Sequence, residues 1–136
     1  MNTARERNDL FAECNMIFEY TRAQAIADGV LVDLSSDFPS DCGRLFKWPL
    51  ACTSAVWSLI ETTATDSNVE TALIVWDVAY MALVAIKSAP NAGNPELLYS
   101  VCMPLTENGS KKRLKLVCGP GDCGEPVLTI MLPEED

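Results

Sequence analysis

The chain has 136 residues, 49% of them hydrophobic and 21% charged, with 19 acidic against 10 basic side chains, no histidine and a net charge of −9. That length is one ordinary domain, able to bury well over half of its unfolded surface. The acidic balance disfavours direct binding to nucleic-acid phosphates, and the missing imidazole removes Ser-His-Asp and Cys-His catalysis from a single chain.

Residues 1–15 carry mixed charge (Arg5, Glu6, Arg7, Asp9, Glu13) and no strong period. They read as a flexible or partly helical N-terminal segment ahead of a single α+β domain over 16–136. They lack the continuous apolar core of a signal peptide, so the expected location is cytoplasmic. The six cysteines, Cys14, Cys42, Cys52, Cys102, Cys118 and Cys123, are accordingly expected to be reduced.

From Thr21 the pattern becomes specific. Thr21 with Gln24 three residues later is a capping box, Ala23 to Ala27 are good helix formers, and Gly29 falls where a left-handed C-cap belongs. A helix of about two turns is predicted there, with Ile17 and Tyr20 as its apolar lead-in, followed by a short strand through Val30, Leu31, Val32 and Leu34. Residues 35–43, SSDFPSDCG, are turn chemistry and predict a surface loop anchored by Leu45, Phe46 and Trp48. Pro49 and the Cys52-Thr53 pair lead into a second helix, capped by Thr53 or Ser54 and ended near Thr62 by Thr63, Thr65 and Asp66.

The stretch from Val69 to Lys87, VETALIVWDVAYMALVAIK, carries charge only at Glu70, Asp77 and Lys87. Leu73, Trp76, Tyr80, Val84 and Lys87 repeat at helical spacing, and Met81, Leu83 and Ile86 widen the apolar arc, which predicts a central core helix sandwiched between a sheet and another helix. Its unbroken apolar run, Val78 to Ile86, is far below the roughly 20 residues that cross a bilayer, so no membrane is expected. Asp77 lies either on a solvated stripe or buried with a partner such as Arg22, Arg44 or Tyr80.

After the loop at 88–95 the period changes to two. Leu97 to Leu105, Arg113 to Cys118 and Val127 to Leu132 predict an antiparallel meander, with Asn108-Gly109 in its first turn and GPGDCGEP in its second. In the middle strand Leu114, Leu116 and Cys118 are expected inward, Arg113 and Lys115 toward water. The predicted fold class is α+β: a C-terminal three-stranded antiparallel sheet packed on the central apolar helix, with two or more shorter helices.

Candidate chemistry is sparse. The loop Gly119 to Pro126 resembles a phosphate cradle only in its glycines: no Lys-Ser/Thr or helix follows, and Asp122 and Glu125 repel anions. A zinc site through Cys118 and Cys123 lacks a second matching pair and any histidine, so neither metal nor cofactor is expected. A carboxylate site using Asp33 and Asp77, with Tyr20 and Arg22, would make the chain a small enzyme or ligand-binding domain, but nothing in the sequence places these residues together. The candidate partner-binding residues are the acids Asp122, Glu125, Glu134, Glu135 and Asp136, with Trp48 as an apolar contact.

Four segments carry a family likeness: YTRAQAIADGVLVDLS from Tyr20, KWPLACTSAVW from Lys47, WDVAYMA from Trp76, and LKLVCGPGDCGEPVLTIMLPEED from Leu114. The chain resembles, over almost its whole length from about residue 17, an uncharacterised family of small domains of unknown function found on bacterial plasmids, integrative elements and phages. That resemblance implies no catalytic residue; it implies an accessory protein of a mobile element. With the negative charge, it leads to the expectation of a non-enzymatic binding protein that inhibits a host defence system, CRISPR or restriction. It would occupy a basic surface on its target, such as that of a nucleic-acid-binding defence effector. A homo-oligomer joined by strand edges is a third reading.

Overall fold

The computed structural model describes residues 21–88, 95–102 and 111–135. Expectations for Ile17, Tyr20, the N-terminal segment, the Asn108-Gly109 turn and Asp136 lie outside these residues. The elements run α1 (Arg22–Ala27), β1 (Leu31–Asp33), α2 (Leu34–Asp37), α3 (Pro39–Leu45), β2 (Leu50–Thr53), α4 (Ser54–Ser67), α5 (Thr71–Ser88), β3 (Glu96–Cys102), β4 (Lys111–Pro120) and β5 (Pro126–Met131). The fold is α+β.

The first helix forms as its caps dictate. The Thr21 hydroxyl accepts from the Gln24 N–H and the Gln24 side chain accepts from the Thr21 N–H, while Gly29 adopts φ +79°. The Val30 and Gly29 amides then bond the Ala25 and Ile26 carbonyls, closing the helix end in a Schellman turn.

The meander is present: β3 pairs antiparallel with β4, and β4 with β5. It is, however, only part of a five-stranded mixed sheet of order β1-β2-β5-β4-β3. The missed strand is β2, the sequence LACT, which sits parallel to β5 and antiparallel to β1. Its Leu50, Ala51 and Cys52 are fully buried, and a short apolar run of this kind has no period that separates it from a helix start.

Two helical expectations are corrected. Residues 35–43 do not form a loop: Asp33 caps α2 by accepting from the Ser36 N–H, Pro39 opens α3, and Cys42 is buried between them. The residues read as turn chemistry are here N-terminal helix signals. The second helix, capped by Thr53, runs past its threonines to Ser67, because Thr63 and Ala64 are buried and the Thr63 hydroxyl is absorbed by the Leu59 carbonyl. Asn68, at φ 53°, then turns the chain into α5.

The core lies between the sheet and helices α3, α4 and α5, with Leu34, Val56, Ile60, Leu114, Leu128 and Ile130 fully or almost fully buried. α5 packs on β3 and against α3 and α4, burying Ile74, Val75, Val78, Ala79 and Ala82. The alanines let the neighbouring backbones approach closely. The arc expected to be central is the outward one: Leu73 is 56% exposed and Tyr80 47%, and Trp76, only half-buried, stacks on Tyr80 at 6.1 Å. By length and apolar composition α5 falls in the range of a bilayer-crossing helix, while its inner face belongs to the core.

Candidate functional site

A polar cluster joins the start of α1 to the loop between β4 and β5, 100 residues apart. The Asp122 carboxylate, in the loop between β4 and β5, accepts from the Arg22 N–H at 2.8 Å and the Ala23 N–H at 3.0 Å. Two orphan donors of the first turn of α1 are thereby satisfied by a residue distant in sequence. The Arg22 side chain runs back across β5, where Nη1 donates to the Thr129 hydroxyl at 2.7 Å and Nη2 to the Leu128 carbonyl at 2.8 Å. Burial lowers the pKa of the guanidinium from its ordinary value, and Asp33, Asp122 and Glu125 oppose that shift.

The loop is shaped for this contact. Its Gly121 N–H donates to the Glu125 carbonyl, and any Cβ on Gly121 would fall 1.9 Å from the Glu125 carboxylate and 2.9 Å from Val127, which is buried. Glycine is required there by close approach, whereas Gly124 is required by φ +82°. Between loop and helix lies an open cavity of about 530 Å³ lined by Thr21, Arg22, Ala25, Leu31, Pro120, Gly121 and Asp122. Its polar groups are largely spent on one another, so its geometry is that of a latch.

The acids expected at an interface fall into two classes. Asp122, Glu125 and Glu135 hold structure: Glu125 accepts from the Cys123 N–H, and Glu135 accepts from the Thr53 hydroxyl at 2.7 Å and the Leu132 N–H at 2.8 Å. Glu134 is exposed, as is Trp48 at 46%. The tail that carries Glu135 also corrects the expectation for Lys115, which is 8% exposed because its Nζ donates to the Glu135 carbonyl. Sequence reasoning missed the acids at the β1 edge other than Asp33. Asp33 lies near Arg22, and Asp33 and Asp41 both act on Cys42. Asp37 and Glu135 act on Cys52. With Asp122 and Glu125 the aspartates make the β1 side of the molecule acidic, whereas Glu134 lines a surface groove with Lys112 and Arg113 of β4.

The two carboxylates of the alternative reading are not brought together. Asp33 ends β1 at one edge of the sheet, and Asp77 lines a groove of about 600 Å³ with Ser100, Val101 and Cys102 of β3 at the other. Four strand spacings, roughly 19 Å, separate those edges. The thiols nearest the acidic side are buried, and burial pushes Cys42 up to about 11 and Cys52 up to about 12, which leaves both inert at neutral pH.

A model of a family of unknown function, DUF6573, matches residues 7–136. The chain belongs to this family. No curated protein and no solved structure matches it. The match of DUF6573 takes in both halves of the latch, Arg22 and Asp122.

Proposed function

We propose that this DUF6573 member is a non-enzymatic, acidic binding protein of a mobile genetic element that inhibits a host defence system, CRISPR or restriction, by occupying a basic surface on its target. The observation that carries the reading is the distribution of charge. Among the acids behind the net charge of −9, Asp33, Asp122 and Glu125 gather around Arg22, and Asp33, Asp37 and Asp41 lie beside the buried thiols of Cys42 and Cys52, on the β1 side of the sheet. A field of this kind steers a basic partner onto one side and orients it before contact.

The test is to mix the purified chain with candidate CRISPR effectors and restriction endonucleases, and to measure survival of phage or plasmid in hosts that express it. Complex formation that weakens steeply with salt is expected, and Asp37→Lys, at an exposed position on the β1 side, should weaken it about tenfold at low ionic strength. No complex and no protection with any effector would overturn the reading.

A further inference from the structure

On the opposite side from the acids, the molecule presents an apolar wall. Two of the large apolar side chains exposed among the described residues, Leu73 and Tyr80, stand on one outer stripe of α5, and Leu98, 54% exposed, is on the neighbouring edge strand β3. β3 is the last strand of the sheet, so its outer main-chain groups have no sheet partner among the described residues. Between Leu97 and Val101 it has no proline, lysine or other charge, the devices that normally blunt such an edge. The strand edge and the helix adjoin, because α5 packs beneath β3 and the Tyr99 hydroxyl donates to the Val78 carbonyl at 3.2 Å, while Leu98, next to Tyr99, points to the other face of the sheet.

We propose that this wall binds a second copy of the chain, β3 pairing antiparallel with β3 of the partner and the outer face of α5 packing against its counterpart. A two-fold axis supplies both things the wall lacks, a strand for the edge and an apolar surface for the helix. The charges on the outer face of α5 fit that operation. Asp77 and Lys87 sit on one stripe about 15 Å apart along the axis, with Tyr80 and Val84 between them. An antiparallel copy centred near Ala82 therefore sets Asp77 of each helix opposite Lys87 of the other, and Tyr80 opposite Val84.

Within one chain Asp77 has no such cation. Lys111 lines the same groove, yet no ion pair reaches Asp77 among the described residues, and partial burial raises its pKa. The wall is long enough as well: α5 spans about 27 Å and β3 about 23 Å, and helix plus strand edge are about 20 Å deep, which gives roughly 500 Å² in projection. Accessible area exceeds projection, which brings the footprint toward the ~800 Å² per partner of stable interfaces. This inference is independent of the proposed function.

Light scattering coupled to size exclusion, run on the full chain over a wide concentration range, should give twice 14.8 kDa at high concentration. Leu98→Lys, on an exposed edge position, should leave circular dichroism unchanged and yield monomer. Asp77→Lys and Lys87→Glu should each weaken dimerisation about tenfold or more, since each places like charges together twice per dimer, and the double exchange should restore it. A dimer indifferent to Leu98→Lys, or not rescued by the double exchange, overturns the proposal. So does a monomer at every concentration, and one that floats with phosphatidylcholine vesicles assigns the wall to lipid instead.

Discussion

Removing the Asp122 carboxylate would leave two backbone donors at the start of α1 to water, and removing the Arg22 guanidinium would break its bonds to the Thr129 hydroxyl and the Leu128 carbonyl and take away the cation that Asp33, Asp122 and Glu125 surround. Asp122→Ala is therefore expected to cost about 1–2 kcal/mol, the range of a lost N-cap. Arg22→Met, which keeps the apolar stem over β5, is expected to cost about 2–3 kcal/mol, as for lost hydrogen bonds from a charged group. Both residues secure α1 to one loop and one strand, so the double substitution should cost clearly less than the sum. Urea titration of the four proteins measures this, and strict additivity would show that the latch is two unrelated contacts. Neither role could be read locally, because the partners stand about 100 positions apart and nothing near Asp122 in the sequence marks it as an acceptor for α1.

At the level of elements, α5 has two apolar arcs, and only one of them is core. Ile74→Ala should cost about 2–4 kcal/mol, since it opens a cavity at a site that is 1% exposed. Leu73→Ala, one residue away, should change stability by no more than about 0.5 kcal/mol when measured in dilute solution. Equal costs would mean that the helix is rotated from the orientation described. This pair also shows how far the sequence could be read. The existence of the helix, the caps of α1 and α4 and the β3-β4-β5 meander followed from spacing and capping chemistry. The inner arc did not, because periodicity selects bulky residues and Leu73, Trp76 and Tyr80 outweigh Val75, Ala79 and Ala82. Bulk in this case is on the outside, and the small residues mark where backbones meet. Likewise Asp33 and Pro39 are equally good in a turn and at a helix start, and only the burial of Leu34 and Cys42 decides between them.

Across the described residues the two ends of the sheet differ in character: aspartates gather beside β1, while at β3 the outer strand edge adjoins the exposed apolar stripe of α5, with Asp77 and Lys87 as its charges. Two different contacts can thus be made without competing for the same surface. The sheet also sets a hierarchy of protection. β5 lies between β2 and β4, buries Val127, Leu128, Ile130 and Met131, and is locked by Arg22, whereas β1 is a three-residue edge whose one strand partner is β2. Hydrogen exchange should find the amides of β5 opening only with global unfolding and those of β1 and α1 opening locally, and the reverse order would contradict this arrangement.

The position of β5 in sequence gives that arrangement a temporal side. The strand at the middle of the sheet is the last of the described strands to leave the ribosome, so β1 and β2, made early, wait through the synthesis of α4, α5, β3 and β4 before they can join the rest. Nascent chains stalled before Pro126 would hold two unjoined half-sheets, sticky at the seam, and a chaperone that recognises exposed strands would find its substrate in that interval.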